Sequence, residues 1–74
     1  MNMLNEQLIA LFSEVSGKPV TLNTKISTLN LDSLDTLEVS MKMKNELNIN
    51  LNVDAFVSMD TIEDLVSYVE NLKL

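Results

Sequence analysis

The sequence contains no cysteine and no histidine, and these absences exclude several classes of chemistry. Without cysteine there is no disulfide framework, and without either residue a transition-metal site loses its preferred ligands. A serine nucleophile also lacks the histidine base that usually activates it. Since no metal-ligand set or general base is available, we expect a protein that is not an enzyme and that holds no metal.

Residues that form turns or aromatic clusters are scarce as well. The 74 residues include one glycine, one proline, two phenylalanines and one tyrosine. So few turn residues argue against a turn-rich β fold, and the core must be filled mainly by leucine, isoleucine, valine and methionine. This composition favours packed helices in one small domain over residues 1–74.

Positive charge is also in short supply. Five lysines stand against eleven acidic residues, which gives a net charge of −6. Nucleic acids and anionic membranes both require basic protein surfaces, so neither is an expected partner. No apolar run approaches the length of a membrane span, and the first residues lack the pattern of a signal peptide. We therefore expect a cytoplasmic protein.

The first and last helices are predicted from their apolar spacing and end signals. The first runs from Asn2 to Ser16, and Gly17 and Pro19 mark its end. The last begins at Asp60, with Glu63 as its capping-box partner. The apolar stripes repeat every three or four residues, and they consist of Leu4, Leu8, Leu11, Phe12 and Val15 in the first helix and of Ile62, Leu65, Val66, Val69 and Leu72 in the last.

A long connection over residues 18–32 follows the first helix. Apolar residues are interleaved with its polar ones, which indicates that the loop lies on the core; among them are Leu22, Ile26, Leu29 and Leu31. Loops of this length without regular structure are often functional. This one delivers the chain to Ser33.

The second helical segment, from Ser33 to Leu47, has two apolar stripes. At about 100° per residue they fall on nearly opposite sides: Val39, Met43 and Leu47 form one, and Leu34, Leu37 and Met41 form the other. The first is expected to face the core. A surface helix needs only one buried stripe, and an exposed apolar patch rimmed by charge usually marks an interaction site. The second stripe therefore predicts a partner-binding face, in preference to a second core contact.

Two short elements connect this helix to the last one. Residues 48–53 alternate between polar and apolar, and without a second strand to pair with they predict an extended connection with Ile49, Leu51 and Val53 pointing inward. Residues 54–57 predict a single helical turn capped by Asp54. The chain as a whole is thus expected to be all-α, with three longer helices and one short helix.

The most informative motif is Leu31-Asp32-Ser33-Leu34-Asp35, at the start of the second helix. Asp32 is a good N-cap, and the first turn behind it offers free N–H groups and the positive end of the helix dipole. A phosphate ester on Ser33 would be stabilised there. On these residues alone the alternative is that Asp32 and Ser33 are only a helix cap, which is the commoner use of such a pair.

With the order and lengths of the elements added, nearly the whole chain resembles the acyl carrier protein family. The family signature is matched by Asp32-Ser33-Leu34-Asp35-Thr36-Leu37-Glu38, and Asp60-Thr61-Ile62 is similar to the start of its last helix. The resemblance implies a small four-helix bundle with a short third helix, which agrees with the pattern read from the residues.

The resemblance also implies roles for particular residues. Ser33 would carry a 4′-phosphopantetheine arm derived from coenzyme A, and Asp32 would assist the phosphopantetheinyl transferase that installs it. Acyl- or aminoacyl-loading enzymes and downstream biosynthetic enzymes would grip a partner-binding surface, which consists of Asp32, Leu34, Asp35, Leu37, Glu38 and Met41. The chain, expected to be a monomer, would tether thioesters near each enzyme without contributing catalysis.

Three features depart from the family pattern. Asn30 replaces the usual glycine before the motif, although asparagine tolerates a left-handed φ better than most residues. Asn52 lies where a proline commonly precedes the third helix. Lys42 and Lys44, set against three acidic residues, bring residues 33–47 to a net charge of −1, whereas this helix is strongly acidic in fatty-acid carriers.

The weak charge of the second helix predicts weak binding to partners that rely on a dense acidic stripe. We therefore expect a carrier in a dedicated pathway, of the polyketide, nonribosomal peptide or amino-acid-loading kind, rather than in central fatty-acid synthesis. The lack of flanking linkers predicts a free-standing carrier, although an excised domain would look similar. One alternative is an unmodified small acidic helical adaptor or regulatory subunit that uses the Leu34/Leu37/Met41 face. Another is a degenerate carrier-like subunit that never carries acyl groups.

Overall fold

A computed structural model describes residues 3–73, and within this range the regular elements are helices, with no strand. α1 spans Met3–Ser16, α2 spans Ser33–Leu47, α3 spans Val53–Phe56 and α4 spans Ile62–Lys73, with a 3₁₀ turn over Ile26–Leu29. The predicted all-α bundle of three longer helices and one short helix is confirmed. No helix in the described range is long and apolar enough to cross a membrane.

The core lies between α1, α2 and α4, because α1 packs against both of the other long helices. All three helices contribute fully buried side chains, which are Leu8, Phe12, Val39, Met43, Ile62, Leu65 and Val69. The short α3 adds Phe56, whose ring centroid lies 6.0 Å from that of Phe12. Aliphatic side chains around one aromatic pair thus form the interior that the composition predicts.

α1 ends where the sequence predicts. Gly17 has a φ of 70°, and its N–H donates to the Ser13 carbonyl at 2.8 Å, a helix end that glycine adopts without steric cost. The predicted stripe faces the core, with Leu8, Leu11 and Phe12 buried and Leu4 and Val15 packed against them. The predicted start at Asn2 lies outside the described residues.

The connection over residues 18–32 lies on the core, as predicted. Val20, Ile26 and Leu29 are buried, and Leu22 and Leu31 pack against the core more loosely. The sequence did not predict the 3₁₀ turn that carries Ile26 and Leu29 inward. Burial of these side chains attaches the loop to the bundle and so restricts where α2 can begin.

Backbone hydrogen bonds also join this loop to the start of α4. The Ile26 N–H donates to the Asp60 carbonyl at 2.8 Å, and the Ile62 N–H donates to the Thr24 carbonyl at 3.1 Å. Between them Lys25 and Thr61 form an isolated antiparallel bridge. The two segments are far apart in sequence, so only the folded chain reveals this contact.

The predicted caps of the last two helices are wrong by one or two residues. α3 begins at Val53, not at Ala55, because Asn52 is its N-cap and accepts the Ala55 N–H at 3.2 Å. Asp54, the predicted cap, lies inside the helix.

The capping box of α4 likewise begins at Thr61 and not at Asp60. The Asp64 N–H donates to Thr61 Oγ1 at 3.3 Å, and the Thr61 N–H donates to Asp64 Oδ2 at 3.1 Å. Glu63, the predicted partner, is exposed. The bonds between the loop and residues 60–62 place Thr61 at the cap position.

Three apolar residues are less buried than predicted. Leu72 is 53% exposed in the last turn of α4, and Val53 is 46% exposed because it belongs to α3 and not to the extended segment before it. Leu47 is only half-buried at the end of α2. Ile49 and Leu51 point inward as predicted.

Candidate functional site

The candidate site lies at the first turn of α2, where Ser33 is the first helical residue and is exposed. Asp32 Oδ1 accepts the Asp35 N–H at 2.8 Å, and Asp35 Oδ2 accepts the Asp32 N–H at 3.3 Å. The Thr36 hydroxyl donates to the Asp32 carbonyl at 2.9 Å. The predicted N-cap at Asp32 is confirmed, and these bonds hold the turn on which the serine stands.

Asn30 turns the chain into this site. Its φ of 53° and ψ of 45° are left-handed, and its N–H donates to the Ser27 carbonyl at 3.4 Å. Asparagine thus adopts the conformation that a glycine would allow here, as its backbone preferences suggest. The loop keeps its left-handed turn, and Leu31 can pack inward just before the cap.

The first turn of α2 fits a phosphate ester on an exposed hydroxyl. Because Asp32 takes the Asp35 N–H, the other two N–H groups of this first turn, those of Ser33 and Leu34, have no acceptor in the part of the chain that the structure describes. These donors and the helix dipole stabilise an anion at this end. The carboxylates of Asp32 and Asp35 lie at the same turn and repel an anion, which offsets part of this stabilisation.

Two shallow grooves flank the serine turn on the α3 side. The one that includes Ser33 has a volume of about 390 Å³, and it is lined by Leu31, Asp32, Ser33, Thr36, Leu37, Ser40, Val53 and Val57. The neighbouring groove of about 410 Å³ shares Leu31, Thr36 and Val57 and reaches Phe56 and Met59. An arm on Ser33 would therefore leave the helix beside a largely apolar surface.

Val53 and Val57 were not recognised as part of this site. Val57 is 73% exposed, and both valines lie across the groove from Leu37. Their position depends on how α3 packs beside α2, which local patterning does not reveal. The available signal was two apolar residues four apart, Val53 at the start of the short α3 and Val57 directly after its end.

The predicted partner-face residues lie along one exposed row of α2. Leu34 is 75% exposed, Leu37 is 55% exposed and Met41 is 54% exposed, whereas Val39 and Met43 on the other side are fully buried. Three large apolar side chains in contact with solvent on one helix form the kind of patch that usually marks an interaction site.

Two of the three acidic residues predicted for the partner-binding surface, Asp35 and Glu38, differ in their surroundings. Glu38 is exposed, whereas Asp35 is partly covered and its carboxylate accepts the Asp32 N–H. Asp35 therefore has a capping role that the sequence analysis did not assign.

Lys42 is held in a cluster of carboxylates. Its Nζ lies 2.8 Å from Glu14 Oε1 on α1 and 3.9 Å from Glu46 Oε2 one turn further along α2. The hydrogen bond to Glu14 is the main cause that raises the pKa of Lys42, and the charges of Glu14, Glu46 and Glu38 add to it. This lysine joins α1 to α2 at the edge of the exposed row.

Comparison with known proteins identifies the family. Residues 6–69 match the family described as "Phosphopantetheine attachment site". The chain belongs to the acyl carrier protein family. An acyl carrier protein of Azobacteroides pseudotrichonymphae is 34% identical over 96% of this chain and 89% of its own length. One of Lactococcus lactis subsp. cremoris (strain MG1363) is 39% identical over 73% of this chain and 71% of its own length.

A plant relative is longer than this chain. Acyl carrier protein 1, chloroplastic, of Hordeum vulgare is 38% identical over 76% of this chain, but the match spans only 38% of the plant protein. The family assignment nevertheless covers most of the carrier fold. Acyl carrier proteins bear 4′-phosphopantetheine and are carriers and not enzymes, so the predicted cofactor and the predicted absence of catalysis are confirmed.

Proposed function

We propose that Ser33 is the residue that carries the 4′-phosphopantetheine arm. The observation that carries this proposal is the exposed hydroxyl at the capped first turn of α2, in a chain that matches the attachment-site family over residues 6–69. When attached, the arm supplies a terminal thiol that holds an acyl or aminoacyl group as a thioester.

The residues around Ser33 perform the rest of the task. The capping bonds between Asp32 and Asp35 hold the backbone of the turn, so Ser33 is presented to the transferase at a defined place on the helix. The free N–H groups of the first turn stabilise the phosphate of the attached arm. We propose that Asp32, exposed beside the serine, is also a contact for the transferase.

The exposed row on α2 is proposed as the docking surface for the transferase and for the enzymes that load and use the cargo. Leu34, Leu37 and Met41 lie in line from the serine turn onward. Interface energy concentrates in a few central apolar side chains, and this row supplies them. Asp35 and Glu38 form its acidic rim.

We propose that the pathway is a dedicated one, of the polyketide, nonribosomal peptide or amino-acid-loading kind, and not central fatty-acid synthesis. Support comes from the low charge of α2, where two lysines offset two of three acidic residues. The same proposal holds that residues 1–74 act as one monomeric carrier domain in the cytoplasm. The continuous core of the described residues supports the single domain.

Attachment at Ser33 is tested by intact-protein mass after incubation with a broad-range phosphopantetheinyl transferase and coenzyme A. We expect wild type to gain the mass of one arm and Ser33→Ala to gain nothing. Ser40→Ala, which removes a hydroxyl from the same groove, is the matched control and should be modified like wild type. An unmodified wild type, or labelling that survives in Ser33→Ala, would contradict the proposal and favour the adaptor alternative.

The docking surface is tested with Leu37→Glu in the same assay. We expect kcat/KM for arm attachment to fall by about tenfold or more, since a central anchor is lost, while the melting temperature changes little. Leu72→Glu adds the same charge at an exposed leucine of α4 and should react at the wild-type rate. If Leu37→Glu unfolds the protein, the two faces of α2 have been assigned the wrong way round.

A further inference from the structure

Lys42 and Lys44 lie two residues apart on α2 but differ in their surroundings. Lys42 contacts Glu14 and Glu46, and its side chain is 24% exposed. Lys44 is exposed, and its Nζ donates to the neutral Asn48 Oδ1 at 3.4 Å. Within residues 3–73 it has no carboxylate partner at ion-pair distance. The charge of Lys42 is thus offset inside the protein, whereas that of Lys44 is not.

The position of Lys44 places this free charge on the docking surface. Lys44 follows Met41 by three residues and Leu37 by seven, so it continues the same exposed row. It lies about 16 Å from Ser33 along the helix axis, at 1.5 Å per residue. Lys42 faces α1, where its Nζ donates to Glu14 Oε1. It therefore lies along the other edge of the exposed row from Lys44, the edge that also carries the acidic rim.

We propose that Lys44 determines which enzymes can use this carrier. It disfavours enzymes whose docking surface is basic at this point. It selects enzymes that present a carboxylate beside the apolar surface with which they contact Leu37 and Met41. The proposal rests on the docking surface proposed above and names the chemistry of its partner: an enzyme with an acidic side chain opposite the last turn of α2.

Charge complementarity favours a partner with an acidic side chain at this point over a partner with a basic one. A charge at the rim of an interface steers association and suppresses partners of like charge. Counting charges along α2 treats both lysines as equal, but the Glu14 contact removes Lys42 from that role. Lys44 is therefore the one side chain of the two that adds an unpaired positive charge to the docking surface, and one substitution can test the proposal.

The experiment measures arm attachment by a phosphopantetheinyl transferase chosen for basic side chains on its docking surface, with coenzyme A as the donor. We expect Lys44→Glu to lower the KM for the carrier by about threefold or more with kcat unchanged, and this gain to shrink in high salt. Lys25→Glu makes the same change in net charge in the first loop, where Lys25 is exposed, and should leave the KM near that of wild type.

A reciprocal variant of the transferase tests the partner chemistry itself. With one basic docking residue of the transferase changed to glutamate, wild type should become a better substrate than Lys44→Glu, and the two changes should be non-additive. Equal effects of Lys44→Glu and Lys25→Glu, or no reversal of preference, would overturn the proposal. Lys44→Gln serves as a milder variant if Lys44→Glu lowers the melting temperature. Failure of the proposed function is distinguishable, since wild type would then take no arm from either transferase.

Discussion

Met41 and Met43 show how strongly a two-residue step along α2 changes the environment of a side chain. Met41 is 54% exposed on the docking surface, whereas Met43 is fully buried in the core. A step of two residues turns the helix by about 200°, so the same side chain serves as a contact for partners at one position and as core at the other.

Replacing Met43 by alanine should therefore destabilise the fold by about 2–5 kcal/mol, because it removes buried methylenes and leaves a cavity in a small core. Met41→Ala is the matched control and should change the free energy of unfolding by less than about 0.5 kcal/mol. Chemical denaturation followed by circular dichroism measures both. A silent Met43→Ala would show that this side chain does not contribute to the core as its burial indicates.

At single positions, the sequence predicted what depends on local backbone chemistry. Asp32 as the N-cap and Asn30 in a left-handed turn follow from preferences of those residue types, and both are found. The capping role of Asp35 follows from the same rules but was missed. Its position in the motif that resembles the family signature suggested a contact with partner enzymes instead. The link from Lys42 to Glu14 could not be predicted, since it depends on how α1 packs against α2.

Among the helices, extent was easier to predict than the exact cap. α2 spans the predicted residues, whereas α3 and α4 begin at neighbours of the predicted caps. The segments before both helices contain several good N-cap residues, such as Asp60 followed by Thr61, and propensity alone does not choose between them. In α4 the choice is made by bonds to the first loop, in which Ile62 donates to Thr24.

The cap of α4 can be verified by comparing two alanine substitutions. Thr61→Ala removes the hydroxyl that accepts the Asp64 N–H and should cost about 1 kcal/mol of folding free energy. Asp60→Ala removes a side chain for which the structure gives no capping bond, and its backbone carbonyl still accepts the Ile26 N–H, so it should cost much less. If urea denaturation gave equal losses of folding free energy for the two variants, Asp60 would contribute to the cap as the sequence predicted.

The same capping box makes α4 sensitive to acid. The backbone N–H groups of Thr61 and then Asp60 donate to the Asp64 carboxylate and lower its pKa. A carboxyl whose pKa is lowered on folding contributes stability above its unfolded pKa, and this is lost as the pH falls through the folded pKa. Asp64→Asn should therefore be less stable than wild type at pH 7, and the difference should shrink in acid, at about pH 4 and below.

Glu63→Gln is the matched control for that measurement. Glu63 neighbours Asp64, but no capping bond to its carboxylate is found in the described part of the chain. Its stability relative to wild type should not show the same loss in acid. If both variants follow the same pH profile, the effect reflects net charge and not the cap.

For the whole molecule, the composition predicted the architecture, and tertiary contacts supplied what it could not. A chain poor in glycine, proline and aromatic residues became a helical bundle with an aliphatic core. The grooves beside Ser33 depend on the packing of α3 against α2, so no local pattern predicts Val57 among their lining residues. Net charge, in contrast, is fully known from the sequence and bears on stability as a whole.

Eleven acidic residues against five lysines should make the fold more stable in salt than in dilute buffer. Repulsion among the excess acids destabilises the compact state, and salt reduces it by shortening the screening length from about 30 Å at 0.01 M to about 8 Å at 0.15 M. We expect the melting temperature to rise by several degrees over that range.

Glu63→Gln should raise the melting temperature in dilute buffer and reduce its dependence on salt. Glu14→Gln makes the same change in charge but breaks the pair with Lys42, so it should gain less. A melting temperature independent of salt would mean that the exposed acids lie too far apart to repel one another appreciably.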